Sequence, residues 1–213
     1  MRYVIIAGPQ SSGKTTAVNY LSTFYMGKVI VHREINPLLL YPKTARLGSI
    51  AATGEMQNKI MRADLRRLKM VTNESKTHLA ETDVFHLVYI LLYLGEEAYK
   101  RAFQEYKEAL TNFRTTVIFI NTKPEVSFAR RKEEYAKRVA AEVIRQEIPL
   151  EKEQDFTNKM LTVYQKRITD LYPLWLRVFN ELNFCEAKIE VENNGLSEKG
   201  FVKQIQKTFA ALV

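Results

Sequence analysis

The sequence predicts an α/β fold in which a parallel β-sheet carries helices on both faces. Short apolar runs alternate along the 213 residues with longer segments of helical spacing, and this alternation is typical of βαβ units. The clearest strand, residues 115–120, reads Thr-Thr-Val-Ile-Phe-Ile and is apolar on both faces, as a buried parallel strand should be. Because no repeat or linker interrupts the chain, residues 1–213 are expected to form one domain.

The individual elements follow from the spacing of apolar residues and from Gly, Pro and Ser signals. Five strands are predicted as short apolar runs, at residues 3–7, 28–32, 77–82, 115–120 and 188–191. Six helices are predicted, at residues 16–24, 55–70, 85–110, 124–145, 156–182 and 197–212. The third helix should divide near Gly95, Pro124 should open the fourth, and Ser197 should cap the last. Residues 38–54 show no sustained period, so an irregular segment or a broken helix is expected there.

Composition limits the class of protein. One cysteine, Cys185, and three histidines exclude a disulfide framework and a Cys-rich zinc site. The longest apolar run, residues 84–94, covers about half of the ~20 residues that a membrane-spanning helix needs. No signal peptide is visible. A soluble, cytoplasmic protein in a reducing compartment is therefore expected, with no membrane partner.

The net charge of +8 has an uneven distribution. Residues 1–76 contain 12 basic and 4 acidic side chains, whereas residues 77–213 contain 20 of each. A basic excess could bind the backbone of a nucleic acid, or it could converge on the phosphates of a small substrate. Because the excess lies in the segment that also supplies the loop described next, the second explanation is favoured and nucleic acid is the weaker alternative.

A glycine-rich loop stands between the first predicted strand and the first helix. Residues 8–15 read Gly-Pro-Gln-Ser-Ser-Gly-Lys-Thr and match the phosphate-loop (P-loop) pattern. The two glycines allow consecutive backbone N–H groups to turn inward around a β-phosphate. Lys14 would reach the β- and γ-phosphates, and the Thr15 hydroxyl would ligate Mg²⁺. The sequence thus predicts ATP or GTP binding, through Gly8, Ser11, Ser12, Gly13, Lys14, Thr15 and Thr16.

Acidic residues stand after two of the predicted strands. Glu81 and Asp83 end the strand at 77–82, and either could hold a Mg²⁺-bound water; the alternative is that Thr82 or Asp83 caps the following helix. Glu34 follows the second strand and could accept the proton of an attacking hydroxyl or orient the acceptor. A surface ion pair with Arg33 is the alternative for Glu34.

Two groups of basic residues could contact phosphates. Those on the helix that Pro124 opens could stabilise the transferred phosphoryl group, or they could form i,i+4 pairs on a solvated helix. Those on the helix at 55–70 could face an anionic acceptor or water. The two groups are Arg130, Arg131, Lys132, Lys137 and Arg138, and Arg62, Arg66 and Arg67. The three histidines, His32, His78 and His86, are expected to pack or cap, and Trp175 is expected in the core.

The chain resembles the P-loop kinases of nucleosides and nucleoside monophosphates, thymidylate kinase and the deoxyribonucleoside kinases in particular. The P-loop, residues 31–37 (Val-His-Arg-Glu-Ile-Asn-Pro), residues 81–85 (Glu-Thr-Asp-Val-Phe) and residues 121–126 followed by Arg130 occur in the same order as the motifs of those enzymes. Those enzymes carry an arginine directly after the signature acid, whereas here Thr82 and Val84 follow the two acids. The Glu-Thr-Asp wording is closer to kinase domains that act on nicotinamide riboside.

The resemblance implies a three-layer P-loop fold with a five-stranded parallel sheet of order 2-3-1-4-5 and a short helical lid. It also implies ATP as donor, Mg²⁺, Glu34 as base or acceptor ligand, lid arginines near Arg130 and Arg138, and adenine contact near Asn194. The acceptor region would span about residues 34–76, and the lid about residues 128–150.

The leading hypothesis is therefore an ATP- and Mg²⁺-dependent phosphotransferase whose acceptor is a nucleoside or nucleoside monophosphate. A regulatory ATP-binding switch and a polynucleotide kinase are the alternatives, and the oligomeric state is open, with a homodimer as one alternative. The expected catalytic residues are Lys14, Glu34, Asp83, Arg130 and Arg138. The other expected site residues are Arg33, Glu34, Arg62 and Arg66 for the acceptor, Thr15, Glu81 and Asp83 for the metal, and Asn194 with the P-loop for the nucleotide.

Overall fold

A five-stranded parallel sheet forms the centre of the protein. The computed structural model describes residues 1–35, 54–72 and 75–212. The strands lie in the order β2-β3-β1-β4-β5 and every neighbouring pair is parallel, which confirms the predicted order. The strands are β1 (Arg2–Ala7), β2 (Val29–His32), β3 (Thr77–Glu81), β4 (Arg114–Asn121) and β5 (Ala187–Glu192).

Helices follow the strands and cover the sheet. The α-helices in the described ranges are α1 (Lys14–Phe24), α2 (Gly54–Met70), α3 (Leu87–Leu110), α4 (Pro124–Arg145), α5 (Leu150–Glu181) and α6 (Glu198–Ala210). A 3₁₀ turn, Asp83–His86, precedes α3. Gly95 interrupts α3 with φ 80° and ψ −175°, and the Ser197 hydroxyl accepts a hydrogen bond from the Gly200 N–H at 3.2 Å, so the predicted break and cap are both confirmed.

Helix α5 differs from its prediction, because it begins at Leu150 and not near residue 156. Its first turns are polar and exposed, so they carry no apolar period that the sequence could reveal. Glu151 and Glu153 lie in the first turn, where negative charge suits the positive end of the helix dipole. The segment expected to be irregular, residues 38–54, lies outside the described residues except for Gly54, which begins α2; Asn36 and Pro37 also lie outside them.

The core consists of two layers, one on each face of the sheet. Alternate residues of a strand point to opposite faces. On one face Tyr3 and Ile5 pack with residues of α2, α3 and α5. On the other face Val4 and Ile6 pack with residues of α1 and α6. This arrangement gives the predicted three-layer α/β fold.

Helices α4 and α5 form a hairpin with its own apolar contacts. Tyr135 and Val139 of α4 pack with Tyr164 and Ile168 of α5, and the rings of Tyr135 and Tyr164 stack at 4.6 Å. The region predicted as a lid, residues 128–150, therefore comprises most of α4 and its turn into α5. No helix within the described residues is both long and apolar enough to cross a membrane.

Candidate functional site

The predicted P-loop connects β1 to α1 at the carboxyl edge of the sheet, where the ends of parallel strands meet. Its glycines have backbone angles that other residues rarely adopt: φ is 148° at Gly8 and 103° at Gly13. A Cβ on Gly8 would lie 2.3 Å from the Ile120 carbonyl oxygen, and one on Gly13 would lie 2.9 Å from the Phe201 ring. Both positions thus require glycine, for conformation and for space.

The side chains of Asn193 and Arg130 hold the P-loop in place through hydrogen bonds. Asn193, which is buried, donates from Nδ2 to the Ser12 carbonyl at 2.7 Å. Arg130 donates from Nη1 to the Ser11 carbonyl at 3.2 Å and from Nη2 to the Asn193 carbonyl at 2.8 Å. The hydroxyl oxygens of Ser11 and Ser12 are buried without a hydrogen-bond partner. The loop is therefore held through its backbone carbonyls and not through its serine hydroxyls.

Lys14 begins α1 and lies against the loop. Its Nζ donates to the carbonyls of Gly8 at 2.8 Å and Pro9 at 2.9 Å, and it lies 5.3 Å from the ring centre of Trp175. Burial lowers the pKa of Lys14 below its ordinary value, although the charges of Glu34 and Glu81 act in the opposite direction. Trp175 is buried in the core, as predicted.

The structure brings Glu81 to Thr15. The Thr15 hydroxyl donates to Glu81 Oε1 at 2.5 Å, and Arg33 Nη1 lies 3.5 Å from Glu81 Oε2. A threonine hydroxyl beside a carboxylate is a suitable oxygen pair for Mg²⁺, which is commonly held by few protein ligands together with phosphates and water. Within the described residues no group of three or more Asp, Glu, His or Cys side chains could hold a metal ion.

Asp83 does not reach Thr15. Its Oδ2 accepts a hydrogen bond from the Tyr3 hydroxyl at 2.5 Å and lies 3.6 Å from Arg67 Nη2. The physical reason is the backbone: β3 ends at Glu81, and Thr82 has φ 69° and ψ −65°, so the strand alternation that would align Glu81 with Asp83 is lost. Burial, followed by the charge of Asp64, raises the pKa of Asp83. This placement does not support the metal and catalytic roles predicted for Asp83.

Glu34 faces a histidine and not Arg33. Glu34 Oε1 lies 3.7 Å from His86 Nε2, whereas Arg33 donates from Nη2 to Asn19 Oδ1 at 2.5 Å in addition to its contact with Glu81. The alternative of a Glu34–Arg33 surface pair is therefore wrong. Burial alone would raise the pKa of Glu34, but the proximity and charge of His86 and the charge of Lys14 hold that pKa below its ordinary value.

Behind His86 lies a buried polar cluster that sequence reasoning missed. His86 Nδ1 contacts Asp64 Oδ2, and Asp64 also accepts from Arg67 Nη2 at 2.8 Å and from the Tyr106 hydroxyl at 3.2 Å. Asp64 is fully buried on α2. A charged residue at an inward position of an otherwise amphipathic helix is the one signal in the sequence that could have pointed to this cluster.

Several predicted site residues lie elsewhere. Arg62 forms an ion pair with Glu105 of α3. Arg66 is exposed and lines a cavity of about 450 Å³ with His32 and His78. The structure brings neither arginine to Glu34, because both lie on α2 faces other than the one that carries Asp64 and Arg67 inward.

Two further residues predicted to act on the nucleotide have structural contacts. Arg138 pairs with Glu134 one turn before it on α4, which is the i,i+4 arrangement given above as the alternative, so its catalytic assignment is not supported. The Asn194 side chain accepts a hydrogen bond from the backbone N–H of Lys123 at 2.7 Å, which ties the loop after β5 to the start of α4. Thr16 lies in the first turn of α1, half-buried.

Comparison with known proteins agrees with this fold. A family model described as an AAA domain matches residues 3–168. Among solved structures, the crystal structure of the YorR protein of Bacillus subtilis, in complex with phosphorylated GDP, superposes with a TM-score of 0.50 at 14% identity, covering 99% of this chain and 96% of that chain. No curated protein matches. Because the family model matches well over half of the sequence, this chain belongs to the AAA domain family and is a nucleotide-binding domain of the P-loop type.

Proposed function

We propose that the protein is a Mg²⁺- and ATP-dependent phosphotransferase that moves the γ-phosphate of ATP to a nucleoside or a nucleoside monophosphate. The observation that carries this proposal is the placement of Glu34. Glu34 follows the carboxyl end of β2 and is 42% exposed at its side chain beside His86, whereas Thr15 already has a carboxylate of its own in Glu81. A second carboxylate at a P-loop, not needed for the metal, suits the proton of an attacking hydroxyl.

The loop would hold the donor. Backbone N–H groups between Gly8 and Thr15, together with the N-terminus of α1, would surround the β-phosphate. Lys14 would exchange its contacts with the Gly8 and Pro9 carbonyls for the β- and γ-phosphate oxygens. Thr15 and Glu81 would hold Mg²⁺, which when bound neutralises charge on the phosphates.

The acceptor would lie between the loop and the end of β2. With a nucleoside acceptor, Glu34 would take the proton from the attacking hydroxyl while that oxygen forms a bond to the γ-phosphorus, and the bond from this phosphorus to the bridging oxygen would break to release ADP. With a nucleoside monophosphate, the attacking phosphate oxygen carries no proton at neutral pH, and Glu34 would only orient the acceptor. The low pKa of Glu34 keeps its carboxylate ionised at neutral pH, as the step requires. Arg33, 45% exposed at its side chain and 3.5 Å from Glu81 Oε2, would offer a positive charge on this side of the loop.

Arg130 would connect the lid to the donor. It spans from α4 to the carbonyls of Ser11 and Asn193, so a guanidinium already lies at the loop. In phosphoryl transfer such a group stabilises negative charge on the transferred oxygens. Arg138 is left out of the mechanism, because Glu134 neutralises it on the surface of α4.

The test is an assay of ADP formation with Mg²⁺ and ATP across a panel of nucleosides and nucleoside monophosphates. Guanine compounds belong in the panel because the YorR structure, of the same fold, holds phosphorylated GDP. Acceptor-dependent turnover that Lys14→Ala abolishes is the expected result. ATP hydrolysis that no acceptor accelerates would instead indicate a regulatory switch, and turnover only with 5′-hydroxyl oligonucleotides would indicate a polynucleotide kinase.

A further inference from the structure

A chain of three ionisable side chains leads from the interior of the protein to the acceptor side of the loop. Asp64 Oδ2 contacts His86 Nδ1, and His86 Nε2 lies 3.7 Å from Glu34 Oε1. The side chain of Asp64 is completely buried and that of His86 is 3% exposed, whereas that of Glu34 is 42% exposed. Each ring nitrogen of one buried imidazole therefore faces a carboxylate, and only the outer carboxylate meets solvent.

The surroundings of His86 favour its charged form. Burial by itself would lower the pKa of His86, but the charges and contacts of Asp64 and Glu34 outweigh it and raise that pKa to about 10. In the part of the chain that the structure describes, the other charged groups near the ring are Asp83 on the same 3₁₀ turn and Arg67 on α2, which lies between Asp64 and Asp83. From α3, Tyr106 contributes a hydroxyl that donates to Asp64.

The two partners of His86 differ in their position. An imidazolium has two N–H donors, and Asp64 satisfies the inner one within the protein. The second nitrogen faces the one carboxylate of the trio that reaches the solvent-accessible side of the loop. A cation at that place fixes the outer carboxylate electrostatically and keeps it ionised.

We propose that His86, supported by Asp64, is a positioning residue that orients the Glu34 carboxylate as the proton acceptor for the incoming hydroxyl. This inference rests on the proposed phosphotransferase function and adds to it the residue that sets the direction and charge of the base. His86 touches neither donor nor acceptor; it acts through Glu34. In this trio Glu34 takes the proton of the hydroxyl and His86 does not, which distinguishes it from a Ser-His-Asp relay.

The decisive variant is His86→Gln, which keeps a polar side chain but removes the cation. Because the acid limb of the pH dependence of kcat/KM reports ionisation of the essential base, this limb should move up by about one pH unit when the cation is lost. The value of kcat should fall about tenfold, a fraction of the 10²–10⁴ that a general base contributes. The dissociation constant for ATP should change less than about threefold, because His86 has no contact with the P-loop.

Tyr106→Phe is the matched control. It removes a hydrogen bond to the same oxygen of Asp64 but leaves both charges beside His86 in place. If the cluster merely supported the fold, the two variants would lose thermal stability and activity in parallel, with unchanged pH profiles. A shifted acid limb in His86→Gln alone supports the positioning role.

Histidine proton resonances provide a second readout that does not depend on turnover. His86 should stay protonated to pH 9 in the unmodified protein and in Tyr106→Phe, and it should lose its proton at lower pH in Asp64→Asn. If His86→Gln does not fold, the titration of His86 in the unmodified protein and in Asp64→Asn tests the positioning role instead. Phosphoryl transfer by His86→Gln with an unshifted pH profile would overturn the positioning role alone, and so would a His86 pKa near ~6.5 in the unmodified protein. If the unmodified protein transferred phosphate to no acceptor, the proposed function itself would be overturned.

Discussion

The ammonium group of Lys14 lies 5.3 Å from the ring centre of Trp175, and Trp175 is the only tryptophan of the chain. Phosphates should draw Lys14 away from this ring, because the same ammonium contacts β- and γ-phosphates in a loaded P-loop. We therefore expect intrinsic fluorescence to change on addition of MgATP. Lys14→Met should weaken ATP binding by at least about tenfold, as expected for loss of a hydrogen bond to a charged group.

Trp175→Phe is the control for this titration. It should abolish the optical signal and keep the calorimetric dissociation constant for ATP within about threefold, because Trp175 lies in the core and offers the nucleotide no polar contact. An unchanged emission spectrum in the unmodified protein at saturating ATP would contradict the expected movement of Lys14.

Glu81 and Asp83 should respond differently to removal of their charge. Glu81→Gln should reduce turnover by about 10²-fold and raise the Mg²⁺ concentration needed for half-maximal activity, since Glu81 is the carboxylate that contacts Thr15. Asp83→Asn should lower the free energy of unfolding by about 1–3 kcal/mol, because it weakens the hydrogen bond from the Tyr3 hydroxyl and removes one of the two carboxylates beside Arg67, which keeps Asp64.

Magnesium titrations of turnover and urea unfolding of both variants measure these effects. Identical Mg²⁺ dependence in Glu81→Gln and the unmodified protein would show that Glu81 is not the metal ligand. A raised Mg²⁺ requirement in Asp83→Asn would assign that role to Asp83 in spite of its contact with Tyr3.

Two arginines on α4 form a second pair for comparison. Arg130→Ala should lower kcat/KM for ATP by about 10- to 100-fold, because it removes the hydrogen bonds to the Ser11 and Asn193 carbonyls and one positive charge at the phosphates. Arg138→Ala should lower it less than about threefold, since a partly exposed i,i+4 pair with Glu134 contributes only about 0.3–0.5 kcal/mol. Steady-state kinetics with ATP as the varied substrate compares the two variants. An equal loss of kcat/KM in both would indicate that Arg138 acts in catalysis after all.

Stability should depend on pH through His86. Its pKa is about 10 in the folded protein and ~6.5 in an unfolded chain, so the folded state binds the proton more tightly. The stabilisation from protonation is complete below pH ~6.5 and is lost as pH rises toward 10. The difference in unfolding free energy between the unmodified protein and His86→Gln should therefore shrink steadily from pH 6.5 to pH 10.

Urea unfolding at several pH values measures this difference, and Tyr106→Phe again serves as the control, since its difference should stay nearly constant over the same range. A gap that widens with increasing pH would mean that His86 is neutral in the folded protein, and it would also remove the basis for the positioning role.

The sequence predicted the fold and the phosphate loop because both depend on local signals. The spacing of apolar residues predicts the alternation of strands and helices. The two glycines of residues 8–15 predict the conformation of the loop. The sequence could not predict which of Glu81 and Asp83 lies beside Thr15. That placement depends on a positive φ at Thr82, and a β-branched residue rarely adopts a positive φ. The partners of Glu34 could not be predicted either, because Glu34 and His86 are 52 positions apart in the sequence and only the folded chain places them together with Asp64.

The hydrogen bond from Asn193 to the Ser12 carbonyl joins groups 181 positions apart in the chain. Phe201, which follows Asn193 in the sequence, lies against Gly13. During synthesis, the P-loop leaves the ribosome well before Asn193 and Phe201, so it lacks these supports until both residues have followed. Nucleotide affinity should consequently arise late in translation, in one step with the docking of β5 and α6. Stalled nascent chains ending shortly before and after these elements have emerged would display that step as a sudden gain in ATP binding.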